Sequence, residues 1–286
     1  MIKKMFAYPY ILWMAIFIVV PLVLVGYYAI TTTDIYGYTS ITLANFRRFF
    51  TERPLERLIF VDVATRSLRL ALQSTIICFI IGYPVAYIMT RKEYSEKSVL
   101  IFLLLAPMWM NFLLRTYAWL TILERNGLIN NVLMRLMNRD TPVIDILYTD
   151  AAVLLGMVYN FLPFMILPIY TSLKKMDGRL IEAAQDLGAG GVNTFLRVVF
   201  PLSVPGVVSG ITMVFMPGAA TFIISNMLGG RQYFLLGNLV ESAFIQQGDW
   251  HFGSAVAVIM MLLMVASMVI LSFFDKGENQ GRSATI

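Results

Sequence analysis

The chain has 286 residues, of which 58% are hydrophobic and 14% charged, against roughly 25% charged residues in ordinary soluble domains. This composition excludes a disordered chain, which is rich in charge and poor in apolar residues. It also argues against a water-soluble globule, because a fold of this size lacks the interior to hide so much apolar surface. The net charge of +5 lies between apolar runs and not on one basic face, so it reads as a topology signal and not as a nucleic-acid footprint. A single cysteine, Cys78, excludes an intrachain disulfide and a thiolate metal cluster. A single histidine, His251, excludes a site built from several imidazoles.

A bilayer core about 30 Å thick takes about 20 apolar residues in helix to cross. Six stretches qualify: 8–30, 67–90, 98–122, 151–173, 203–225 and 254–274. Lys3 and Lys4 precede the first, but its apolar run is too long for a signal peptide and no small-residue cleavage site follows. It is therefore expected to be an uncleaved first span. With the N-terminus inside, every lysine falls on inside segments: Lys3, Lys4, Lys92, Lys97, Lys174, Lys175 and Lys276. The arginines of the long segment 31–66 weigh little in the positive-inside rule. Both termini are expected in the cytoplasm.

None of the six stretches contains Asp or Glu, whereas ion-coupled carriers use buried carboxylates. Arg69 and Arg115 do lie within spans, where snorkelling to the outer interface and a pairing or gating role are both open. Glu241 and Asp249 are possible partners for Arg115. The chain has no Gly-Lys dipeptide and hence no phosphate-binding P-loop, no nucleophile elbow and no HExxH metal motif. No catalytic residue, cofactor or metal is expected. Pro107, Pro163 and Pro217 fall near the middle of spans three, four and five. Proline removes a helix hydrogen bond, so these spans either tolerate it passively or flex along a path.

The segment 174–202 is the most informative. Leu180, Ala183, Ala184 and Leu187 fill the i, i+3, i+4, i+7 template, with Arg179, Glu182, Gln185 and Asp186 opposite. This predicts a short amphipathic helix with Asp177 as its N-cap. Gly188, Gly190 and Gly191 stop it. Val192, Phe195, Leu196 and Val199 fill a second template, which Pro201 and Pro205 are expected to end. The polar face lacks the basic residues that anionic lipid selects. A docking element for a protein partner fits better, with small alanines for close approach and Glu182 for a partner arginine.

Glu182-Ala183-Ala184 followed by Gly188 and Pro201 resembles the EAA loop of type I ABC importer permeases. The stretches 106–111, 115–117, 162–165, 182–189, 225–230 and 249–253 resemble, more narrowly, the spermidine/putrescine permease subunits of such importers. The resemblance implies an all-α membrane protein of six helices, with two short cytoplasmic coupling helices between helices four and five. It implies an N-terminal helix and outer loop over 1–62, a conserved-fold core over 63–274 and a cytoplasmic tail over 275–286. It also implies that Glu182, Ala183, Ala184, Asp186, Gly188 and Ala189 couple the chain to a separate ATPase. The implied partners are two ATPase subunits, a second related permease, a solute-binding protein and membrane lipid. A permease for another small cationic or organic solute, and a secondary transporter, are the alternatives.

A polycation path needs weak, repeated attraction, which aromatic faces supply at about 0.5–2 kcal/mol per contact. Trp109, Asn111, Tyr117, Tyr159, Asn160, Phe161 and Asn226 are the expected path residues. Met213, Phe215 and Met216 beside Pro217 are the expected gate.

Overall fold

A computed structural model describes residues 8–34, 36, 38–51, 59–91, 98–139, 141–230 and 233–282. Lys3, Lys4, Lys92, Lys97, Arg53 and Arg57 lie outside the described residues, as do residues 283–286 of the expected tail. The architecture is helical apart from one small hairpin. Five helices are long and apolar enough to cross a membrane, and a broken pair makes a sixth span. By contacts the chain divides into two compact units, residues 1–66 with Leu235–Val265, and Ser67–Phe234 with residues 266–286.

In the first unit, α1 (Tyr8–Met14) runs through one π turn, Ala15–Val19, into α2 (Val20–Ala29). Pro21 lies just beyond that turn. Proline has no N–H and its ring crowds the carbonyl four residues back. The wider π turn, closed by the Val20 N–H on the Ala15 carbonyl, moves the hydrogen-bond register and lets the helix continue. Strands β1 (Thr31–Thr33) and β2 (Thr39–Ile41) then pair antiparallel, with Thr31 opposite Ile41, and α3 spans Ala44–Thr51.

The His251 ring lies against this hairpin, with Nδ1 3.1 Å from the Tyr28 carbonyl and Nε2 3.2 Å from Thr33 Oγ1. Arg48 bonds Asp249 at 2.7 Å and sits 4.3 Å from the Phe252 ring centre. The lone histidine is thus a structural tie, and Asp249 already has a cation.

The second unit is built on α8 (Asp150–Lys174) and α11 (Phe200–Ala220). Gly206 and Gly210, four apart on α11, face α8. A Cβ at Gly206 would come within 2.5 Å of Ser172 Cβ and 2.7 Å of the Pro168 carbonyl. One at Gly210 would lie 2.8 Å from Met165 Sδ. Small residues at this spacing let membrane helices approach backbone to backbone, where dispersion replaces the missing hydrophobic drive. The helix α4 (Ile59–Met89) enters this unit at Ser67. There Gly82 takes the Met165 side chain, and Tyr83 Oη lies 2.8 Å from Ser203 Oγ.

Two expected spans are interrupted, the third and the fifth. The third is broken: α5 (Ser98–Leu105) ends in a 3₁₀ turn at Ala106–Trp109, α6 (Phe112–Leu123) follows, and the stretch 112–137 is bent by 88° from 99–109. Pro107 starts the 3₁₀ turn, and extended backbone at Met110 and Asn111 completes the break. By contrast α8 continues through Pro163 and Pro168, so proline alone does not fix where a span breaks. The fifth span stops at Ala220 and not at Ser225. Thr221 is extended, and a separate helix α12 (Ile223–Leu228) follows. Between spans three and four lies α7 (Leu128–Met137).

The second short helix of the 174–202 segment is not separate. α9 covers Gly178–Asp186, as the template predicts, but α10 (Gly191–Thr194) runs through a π turn, Phe195–Val199, directly into α11. Pro201 does not end it, because the Phe200 N–H closes on the Phe195 carbonyl and the widened turn absorbs the proline. This repeats the arrangement before Pro21. Finally, α13 (Leu236–Glu241) precedes α14 (Trp250–Arg282). α14 runs on past the expected end of span six at 274.

Candidate coupling helix and solute path

Helix α9 is closed at both ends by its own sequence. Asp177 Oδ1 accepts from the Arg179 N–H at 3.0 Å, and the Arg179 guanidinium lies 3.1 Å from Oδ2. The Arg179 side chain first, and its backbone N–H second, hold the Asp177 carboxyl below the usual carboxylate range. At the other end the Gly188 N–H bonds the Gln185 carbonyl at 2.9 Å and the Ala189 N–H bonds the Ala184 carbonyl at 3.0 Å. That pair of bonds is a Schellman cap, which needs a left-handed residue at its turn. Gly188 supplies it with φ +82°. The spacing from Ala184 to Gly188 and Ala189 is therefore the spacing of a helix stop.

Glu182, Ala183 and Asp186 are exposed, while Ala184 and Ala189 are half-buried. Glu182 makes no ion pair among the described residues. The apolar row is open within its unit: Leu180 is exposed and Leu187 is 89% exposed. Both faces of α9 thus remain open within its unit.

All the expected path and gate residues fall in the second unit. Trp109, at the break of the third span, is 75% exposed, and Tyr117 is exposed as well. Asn111 Oδ1 caps α6 by accepting from the Leu113 and Leu114 N–H groups at 2.9 and 3.4 Å. Tyr159 meets Trp119 edge to face at 5.3 Å. Phe161 is buried and Asn226 is exposed on α12. Asn160 is buried. Its Nδ2 donates to the Gly156 carbonyl at 2.9 Å, and its Oδ1 has no partner. On α11 Met213 is exposed and Phe215 and Met216 are half-buried. Met213 and Met216 share a face, and Phe215 is turned away from it.

Arg69, an exposed side chain, bonds Asp150 at 2.9 Å. Asp150 sits one residue outside the apolar stretch, and Thr149 before it, an N-cap residue, is the sequence signal that marks the helix start. Arg115 is 8% exposed, 5.9 Å from the Phe112 ring centre, with Nε unpartnered. It makes no ion pair among the described residues. At the ends of α6 and α8 a polar cleft of about 630 Å³ is lined by Glu124, Arg125, Asp145 and Tyr148. There the Arg125 guanidinium, 2.6 Å away, holds the Asp145 carboxyl below its usual range.

No family model matches the chain. The chain is 35% identical over 260 residues to the spermidine/putrescine transport system permease protein PotB of Escherichia coli (strain K12), covering 90% of this chain and 92% of that one. It is 37% identical over 255 residues to the protein of the same name from Haemophilus influenzae, covering 88% and 86%. Its fold is similar to a solved bacterial ABC transporter involved in import of the acidic polysaccharide alginate, with a TM-score of 0.74 at 16% identity over 100% of this chain and 96% of that one. The chain belongs to the family of spermidine/putrescine permeases of ABC importers.

Proposed function

We propose that this chain passes polyamines across the bacterial cytoplasmic membrane and is driven by a separate ATPase that grips α9. Both termini lie in the cytoplasm, and so does the Lys174–Leu202 segment. The observation that carries the coupling assignment is the exposure of Leu180 and Leu187 on a helix capped at both ends. A rigid helix with an unburied apolar row and a free Glu182 has the chemistry of a handle. Ala183 and Ala184 allow a partner close approach, and a partner arginine pairs with Glu182.

The chain has no nucleotide-binding motif, so hydrolysis belongs to partner chains. Two ATPase subunits, a second related permease and a solute-binding protein complete the assembly. The spermidine/putrescine names of its relatives support the substrate. Aromatic faces at Trp109, Tyr117 and Tyr159 and the free carbonyl of Asn160 suit an ammonium group, and the lack of carboxylates in the apolar stretches avoids a deep trap. Met213 and Met216, which share a face of α11, form the apolar gate, and Phe215 on another face does not join it. Competition uptake in the reconstituted complex tests the substrate. Excess unlabelled putrescine or spermidine should suppress labelled polyamine uptake, and amino acids should not. Suppression by amino acids alone would move the assignment to another solute.

A further inference from the structure

We propose that α7 is an interfacial anchor: the row Leu128, Val132, Leu136 enters the phospholipid surface beside the bundle while Arg135 and Arg139 hold lipid phosphates. The helix is a separate element and not an extension of α6, because backbone at Glu124 (ψ 155°) and Gly127 (ψ 173°) is extended between them. Its apolar residues at i, i+4 and i+8 form one line along one face. That line is open: Leu128 is 66%, Val132 49% and Leu136 77% exposed.

The orientation of that face is fixed from behind. Asn130 is 1% exposed, and its amide makes four bonds. Nδ2 donates to the Glu124 and Ile144 carbonyls at 3.1 and 2.7 Å, and Oδ1 accepts from the Val143 and Ile144 N–H groups at 3.1 and 2.8 Å. Rolling the helix to hide the leucines would strip a buried amide of all four partners, which costs far more than it returns.

The charge beside the row selects the occupant. Arg135 and Arg139, with Asn131 and Asn138, line a cleft of about 340 Å³ that contains no carboxylate among the described residues. Asp140, the next residue in sequence, lies outside the described residues. Neither arginine has an ion pair among the described residues, whereas Arg125 before the same helix is satisfied by Asp145. Aliphatic branches beside unpaired guanidinium groups, with no aromatic anchor on the face, match a headgroup interface better than a protein interface, where aromatic residues dominate. α7 lies in the connection between α6 and α8, next to apolar helices that pass the length and composition test for spans.

The test uses the full chain reconstituted in vesicles, with Cys78 replaced by serine. Val132→Cys carries an environment-sensitive fluorophore, and Leu136→Cys is its repeat. Brominated-acyl phospholipid should quench both labels, more strongly in phosphatidylglycerol than in phosphatidylcholine. Arg135→Gln with Arg139→Gln should remove that lipid preference. Labels quenched only by aqueous iodide, or shielded on addition of a solute-binding protein with no lipid quenching, would overturn the proposal. The readout needs neither substrate nor ATPase, so it stands or falls apart from the transport assignment.

Discussion

Glycine has two different jobs in this molecule. Gly188 is in open space and is required for its backbone, since φ +82° is strained for any residue with a Cβ. Gly206 has ordinary backbone and is required for its absence of side chain, because a methyl group there meets the Pro168 carbonyl at 2.7 Å. The first was legible in the sequence as a stop signal. The second was not, because only the partner helix makes a surface glycine a contact. Asn160 is a third case. Its Oδ1 is buried without a partner inside α8, and such a group costs about 1–3 kcal/mol. We propose that Asn160 serves the solute path. Asn160→Leu is therefore expected to leave thermal stability equal or higher in detergent while lowering polyamine uptake, with ATPase association unchanged. A lower melting temperature together with normal uptake would remove Asn160 from the path.

At the scale of elements, helix periodicity and caps were legible, and helix continuity was not. The template and the Asp177 cap predicted α9 to within a residue. The same reasoning ended the following helix at Pro201, yet the chain runs on through a π turn. Proline's missing N–H is visible in sequence, but the register shift that absorbs it depends on five residues being free to widen. The third span shows the reverse: Pro107 with extended Met110 and Asn111 breaks a helix that apolarity alone reads as one rod.

For α9 the cap makes a pH prediction. Because the folded-state pKa of Asp177 is lowered, the cap's contribution is full above the ordinary aspartate value of about 3.9. It is lost as pH falls through the lowered folded value. Hydrogen exchange of residues 178–181, corrected for intrinsic rate, should show protection constant from neutral pH down to about pH 4 and lost below it. Asp177→Asn keeps a capping oxygen and should flatten that response. An identical acid response in Asp177→Asn would remove Asp177 as its source.

For the whole molecule, composition alone identified a multi-span membrane protein, and the apolar runs located its crossings. Sequence did not show that the apolar side of α9 stays open, because a short amphipathic helix reads the same whether it rests on its own bundle or waits for a partner. Leu187, 89% exposed, is not covered within its own unit. On that ground we propose that α9 carries force from a nucleotide-driven subunit into α11, to which it is joined through α10. Cysteine crosslinking from Leu187→Cys in the assembled transporter tests it most directly. The account predicts a crosslink to the ATPase subunit whose yield changes between nucleotide-free and ATP-bound states. Label transfer only to phospholipid, or modification of Leu187→Cys by a membrane-impermeant reagent added outside intact cells, would contradict it.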